Sequence, residues 1–183
     1  MNAILFIVSL CFLVFIFTMF RPELIRMLGL TPALVPQQPW TVVTAMFVHA
    51  NLMHIMFNMI SLYFLGSFFL RMVGEGDFLK VFFIGGLAGN ALYILLGPAM
   101  IPGVGASGAI FAIGGSLAIM APKLPVLVFP LPVPVPLWIA MTFFLVIGFF
   151  ISGIAWQAHL GGFLLGMLAG LYFRKRGRRP LVF

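Results

Sequence analysis

Apolar residues run along the chain in six long blocks, broken by short stretches rich in charge, proline or glycine. The blocks are too continuous for the one-sided stripe of a surface helix, and most have the length of a membrane span. They predict helices over residues 3–20, 52–70, 78–96, 107–121, 137–152 and 155–173. The first block has no basic residue ahead of it and no small-residue cleavage site behind it, so it reads as a span and not as a signal peptide. Residues 21–51, with Arg21, Glu23, Arg26, four prolines and Trp40, read as a long interfacial loop. Gly74-Glu75-Gly76-Asp77 reads as a polar turn. Residues 122–136 hold six prolines, four of them alternating from Pro130 to Pro136, and are expected to form a stiff non-helical loop.

Composition turns this pattern into a fold class. Hydrophobic residues make up 63% of the 183, charged residues 7%, and the mean hydropathy is +1.23. A surface so poor in charge is suited to lipid and not to water. The expectation is an all-α polytopic membrane protein, one six-helix domain over residues 1–183, with the lipid bilayer as a partner. Net charge is +7, but five of the ten basic residues are Arg174, Lys175, Arg176, Arg178 and Arg179 in the tail at 174–183. That is a membrane anchor and not a nucleic-acid surface. With six helices, Arg71, Lys80, Lys123 and the tail collect on one side, against Arg21 and Arg26 on the other. The positive-inside rule then puts both termini in the cytoplasm. Cys11 stands alone and can form no internal disulfide.

Polar side chains inside a bilayer are costly and therefore informative. At about 1.5 Å per residue, Ser107 lies roughly 24 Å from Lys123, His159 roughly 22 Å from Arg174, and His54 and Asn58 roughly 25 and 20 Å from Arg71. Three helices thus carry polar groups to one level, somewhat inside the outer boundary of a hydrocarbon core about 30 Å thick. The fourth helix is too short to span, so Gly97, Pro98, Pro102, Gly103 and Gly105 must lead into Ser107 as a re-entrant segment beside protein or water. Gly105-Ala106-Ser107-Gly108 opens that helix with unpaired N–H groups. His159 heads a helix with Gly162, Gly166 and Gly170 at four-residue spacing, a smooth face for close packing. Packing the two helices there pairs a serine nucleophile with a histidine base. The acids Glu23, Glu75 and Asp77 lie elsewhere, so a dyad is expected and not a triad. His54 and Asn58, one turn apart, are candidate oxyanion donors. His49 is expected to make a local structural hydrogen bond, and Asn90 and Tyr93 to bond between helices. The histidine spacing suits no zinc site, and no cofactor is expected.

The segments HANLMHIMFNMISLYFLG, GASG and AHLGGFLLG occur in this order on the second, fourth and sixth predicted helices. Together they resemble the rhomboid family of intramembrane serine proteases in its minimal prokaryotic six-helix form, over essentially the whole chain. The resemblance implies Ser107 as nucleophile, His159 as general base, and His54 with Asn58 as oxyanion donors. It implies a membrane-embedded first loop at 21–51 and a gate and cap near 137–155. It also implies cleavage of transmembrane segments of single-pass proteins near their outer end, with no obligate protein partner, in the plasma membrane of a prokaryote. The chain departs from the family where many members have Arg after the loop tryptophan, here Thr41, and where many have a glutamate at the end of the second helix, here Leu70. A catalytically inactive binder of transmembrane helices is the alternative. A transporter would want a polar path reaching both sides, and here the polar residues gather on one.

Overall fold

The computed structural model describes residues 2–128 and 133–177. Helix α1 spans Ala3–Phe20 and is capped by Asn2, whose side chain accepts from the Leu5 N–H at 3.0 Å. The following loop contains α2 (Glu23–Leu28), a 3-10 turn at Pro32–Leu34, α3 (Thr41–Thr44) and a second 3-10 turn at Ala45–Phe47. Helix α4 (Leu52–Ser61) passes through a π-helical turn, Leu62–Gly66, into α5 (Ser67–Val73). Then come α6 (Glu75–Leu96), α7 (Ser107–Met120), α8 (Leu137–Gly148) and α9 (Trp156–Lys175). By length and composition, α1, the α4–α5 rod and α6 are each able to cross a membrane; α7 and α8 are shorter apolar helices.

Several boundaries differ from expectation, each for a local reason. The polar turn at 74–77 shrinks to Gly74, whose φ of +86° reverses the chain in one residue. Glu75 and Asp77 instead occupy the first turn of α6, where carboxylates suit the positive end of the helix dipole. Helix α8 stops at Gly148, four residues early, as the chain turns toward Gly153 with φ +84°. Part of the proline-rich segment is an antiparallel hairpin, β1 (Pro125–Leu127) against β2 (Pro134–Pro136). Pro130, Pro132, Arg178 and Arg179 lie outside the described residues.

The centre of the bundle is α6, α7 and α9, packed backbone to backbone. A methyl group on Gly162 would overlap the Gly108 carbonyl, and one on Gly166 would overlap the Ala112 carbonyl. One on Gly170 would sit 2.6 Å from the Ser116 carbonyl oxygen. The pairs advance by four on both helices, so α7 and α9 run parallel and in step. Ser116 Oγ sits between them, 2.9 Å from both the Ala112 and the Gly166 carbonyl oxygens. On α6, Gly89 faces the Ala158 carbonyl in the same manner. Phe69, Phe78, Phe82, Ile113 and Leu117 fill the core beside these helices.

The start of α1 and the end of α9 share one end of the bundle. The Ala3 N–H donates to Glu75 Oε1 at 2.7 Å, which puts the start of α1 at the start of α6. The Phe69 and Phe173 rings meet edge to face at 5.9 Å, which puts the end of α9 beside α5. At the opposite end the 21–51 loop pairs with the segment leading to Ser107. Leu30 and Gly103 exchange backbone hydrogen bonds of 2.9 and 2.8 Å, and the Gly105 N–H reaches the Ala45 carbonyl at 2.9 Å. Asn90 Nδ2 ties α6 to the Val42 carbonyl in α3 at 2.8 Å, and the Tyr93 hydroxyl reaches the Ile101 carbonyl at 3.0 Å. The non-helical backbone ahead of Ser107 is thereby supplied with hydrogen-bond partners from its own chain.

Candidate active site

Ser107 is the first residue of α7 and His159 lies in the first turn of α9. Because the two helices are in step, Ser107 Oγ comes to 2.8 Å from His159 Nε2. The imidazole lies flat on Phe111, one turn beyond Ser107, with ring centroids 4.3 Å apart and planes 16° from parallel. Its buried Nδ1 has no hydrogen-bond partner among the described residues. The three acids are engaged elsewhere. Glu23 pairs with Arg21, whose guanidinium holds its carboxyl below the ordinary carboxylate range; Glu75 accepts from Ala3; and Asp77 pairs with Lys80 at 3.0 Å. The ring is oriented by stacking, with no carboxylate behind it.

Gly105 has a φ of +120°, which favours glycine, and it leaves the space between Ser107 and α4 open. A Cβ on it would lie 2.8 Å from His54 Nε2 and 3.7 Å from Ser107 Oγ, so both atoms border the same small space. His54 is set by the turn before α4. The Asn51 side chain caps the helix by accepting from the His54 N–H at 2.8 Å, and the Ala50 N–H approaches His54 Nδ1 at 3.5 Å. With Nδ1 as the acceptor, the single N–H proton of the neutral ring sits on Nε2, the nitrogen facing Gly105. Asn58, one turn on, is buried, and its Nδ2 donates to the His54 carbonyl at 2.9 Å. At the start of α7, the N–H groups of Ser107, Gly108 and Ala109 precede the first helical bond, from the Ile110 N–H to the Ala106 carbonyl. The arrangement can take a proton from a hydroxyl and present N–H donors to an oxyanion forming beside it.

The family is decided by comparison with known proteins. A model of the rhomboid domain matches residues 36–176. The chain belongs to the rhomboid family. With its apolar helices, this makes it an integral polytopic membrane protein. It is similar to Rhomboid protein 1, mitochondrial, of Saccharomyces cerevisiae, 30% identical over 155 residues, or 74% of this chain and 42% of that protein. It is similar to Rhomboid protease GluP of Bacillus subtilis, 30% identical over 130 residues, or 71% of this chain and 25% of that one. Putative rhomboid protease YdcA of the same organism is 31% identical over 144 residues, covering 76% and 70%. The chain thus spans less than half the length of the first two relatives.

Two residues around this rhomboid site, Phe111 and Asn51, were not singled out from the sequence. Phe111 carries the stack on His159, and its position four residues after Ser107 was the available signal. Asn51 fits the cap pattern ahead of an apolar run. His49, expected to make a local structural hydrogen bond, is fully buried beside the Phe47 backbone, and neither ring nitrogen meets a partner at full hydrogen-bond geometry among the described residues. Its ring instead packs edge-on against His54, with centroids 5.1 Å apart. Gln157, two residues before His159, donates from Nε2 to the Leu96 carbonyl at 3.1 Å and fastens the start of α9 to the end of α6.

Proposed function

We propose that this rhomboid protein is an intramembrane serine endopeptidase that cleaves peptide bonds in or near transmembrane segments of single-pass membrane proteins. The observation that carries the reading is the 2.8 Å contact between Ser107 Oγ and His159 Nε2. Ser107 Oγ attacks the scissile carbonyl carbon while His159 Nε2 takes its proton. The charge that develops on the carbonyl oxygen is met by the N–H groups at the start of α7, by His54 Nε2–H and by the Asn58 amide. Collapse breaks the C–N bond, His159 returns the proton to the leaving amine, and an acyl-serine remains. Water, deprotonated by the same imidazole, hydrolyses the ester and restores the hydroxyl. The reaction draws only on this chain and water.

The same reading assigns the protein to the plasma membrane of a prokaryote. Both termini are cytoplasmic, as the shared end of α1 and α9 and the basic residues Arg71, Lys80, Lys123, Arg174 and Lys175 support. The Ser107 end then faces outward.

The test is labelling of purified protein by a fluorophosphonate, with Ser107→Ala and His159→Ala beside it, followed by cleavage of a single-pass reporter. The expected result is labelling and cleavage by the parent and neither by the variants. A folded parent that stays unlabelled but retains the reporter on affinity resin would replace the protease reading with that of an inactive binder.

A further inference from the structure

The β1–β2 hairpin lies at the end of the bundle opposite Ser107, and its construction suits a lipid environment. From Leu124 to Leu137 the sequence contains only leucine, valine, phenylalanine and proline. One face of the hairpin rests on the bundle: Val128 is buried, and Leu124 and Val126 pack against the main core. The other face leaves Leu127 76% and Val133 58% exposed. In water this would be a bare apolar patch with no charged residue within it.

The backbone has a second unusual property. The Leu137 N–H donates to the Leu124 carbonyl at 2.9 Å, and Val126 pairs with Val135. Val126 and Val135, together with the Leu124 carbonyl and the Leu137 N–H, therefore direct their polar groups across the ladder, because these groups alternate in direction along a strand, while the Leu124 N–H turns back to the Ala121 carbonyl at 3.0 Å. Positions 125, 127, 134 and 136 direct theirs outward. Three of those four are prolines, which have no N–H; only Leu127 offers an outward donor. A sheet edge in hydrocarbon is excluded chiefly by unpaired polar groups, and here the donor side of that cost is largely removed.

The hairpin also sits at the level of a membrane boundary. Helices α7 and α9 advance in step through Gly108–Gly162, Ala112–Gly166 and Ser116–Gly170 contacts, so one further step brings Met120 level with Arg174. Lys123 stands three residues beyond Met120, and the Trp138 N–H approaches the Pro122 carbonyl at 3.3 Å, so the root of the hairpin lies beside basic residues. Trp138, at the start of α8, is half exposed, as suits an interfacial aromatic. We infer that the hairpin is a membrane-inserted element, with Leu127 and Val133 among the upper acyl chains of the leaflet and Lys123 and Arg174 at the phosphates. It anchors the α7–α8 connection in lipid at the end remote from the Ser–His pair.

The experiment uses the full chain in phospholipid vesicles, in a Cys11→Ala background carrying single Leu127→Cys or Val133→Cys changes, each labelled with an environment-sensitive fluorophore. Quenching by lipids brominated high on the acyl chain is compared with quenching by aqueous iodide. Phe143→Cys on the exposed face of α8 serves as the lipid reference and Arg176→Cys as the aqueous one. The expected result at 127 and 133 is a ratio of lipid to iodide quenching near that of position 143 and several-fold above that of position 176. A ratio nearer to that of position 176 would overturn the inference by placing the hairpin in water. Protection from both quenchers would overturn it too, since protein, such as a second copy, would then cover this face. All substitutions but that of Cys11 are at exposed side chains, so loss of the fold is not the expected cause of any outcome.

Discussion

Helices α7 and α8 are consecutive, apolar and short, yet they are held in opposite ways. Every residue of α7 from Gly108 to Leu117 is buried, and its contacts with α9 are backbone against backbone at Gly162 and Gly166. Helix α8 buries only Leu137, Ala140, Met141 and Gly148. It meets α7 through the Met141 thioether laid over Gly114, and its end meets α9 through the Phe149–Trp156 ring stack at 4.2 Å. A glycine contact has no side chain to adjust, so the register of α7 on α9 is fixed to fractions of an ångström. A methionine contact can be remade after a shift of its neighbour. The Ser107–His159 pair is built on the first kind of contact. The helix flanking it is held by the second, so a shift of α8 is expected to disturb the pair less than a shift of α9 would.

The largest effects should come from the pair itself. Ser107→Ala and His159→Ala should each lower turnover of a single-pass reporter by roughly 10⁴-fold or more, as expected for a nucleophile and its base. Thermal unfolding in detergent should move little, because the side chains removed are small or stacked at the edge of the bundle. Unfolding at much lower temperature, with activity lost only in proportion, would make the 2.8 Å contact structural and not catalytic. Activity of the parent should also fall as pH drops through the pKa of the imidazole, since the base must be neutral.

Next come the glycines that create the distance. Gly162→Ala puts a methyl group onto the Gly108 carbonyl, with no side chain to yield, so the two backbones must separate. The expected cost is about 3 kcal/mol of stability, at the upper end for overpacking, together with loss of fluorophosphonate labelling. Retained labelling at parental stability would show that the α7–α9 contact does not set the geometry. Asn58→Ala, on α4, leaves the α7–α9 contact untouched and should lower turnover by about 10²-fold with labelling reduced in parallel, the scale for one oxyanion donor. An unchanged rate would remove Asn58 from the oxyanion group.

Much of this division was legible in the sequence, because membrane burial leaves a plain record. Apolar runs bounded by Arg21, Arg71 and Arg174 marked helices to within a few residues, since charge cannot follow the chain into hydrocarbon. Ser107, His54 and His159 stood at one level by counting from basic anchors, and the structure brings them together. Gly162, Gly166 and Gly170 gave the contact face directly. What stayed hidden depends on side-chain packing or on short-range pairing that has no periodic signal. The short helices within 21–51, the stacking of Phe111 on His159, the burial of His49 and the pairing of β1 with β2 all belong to that class. The proline alternation was visible; that its parity would point the missing donors outward required the register of the ladder.

Smaller effects should follow on the α8 side. Phe149→Ala removes the stack on Trp156 and should cost about 1 kcal/mol, the usual worth of an aromatic pair. The space at Gly148 borders His159 Nδ1, but the 2.8 Å contact itself is made by α7 and α9, so the fluorophosphonate should label the variant at least as fast as the parent. Slower labelling in a protein of near-parental stability would mean that α8 helps to hold the pair, and the contrast between the two helices would weaken.

The smallest effect should be the most diagnostic. Gly114→Ala adds the same methyl group to α7 as Gly162→Ala adds to α9, but the atoms it meets are Met141 Cε and Sδ, at the end of a flexible side chain on α8. Rotation of that thioether should absorb the methyl group, and the gain of up to about 1 kcal/mol from replacing a helical glycine should offset the residual strain. Stability and labelling should therefore stay close to the parental values, with α8 displaced slightly outward. A disulfide-free distance measurement between spin labels on Phe143→Cys and Leu168→Cys, both at exposed positions, would register that displacement. Destabilisation equal to that of Gly162→Ala would show α8 to be as tightly registered as α9, whereas a tolerated methyl group would show that two neighbouring glycine contacts on one helix differ according to whether backbone or thioether lies opposite.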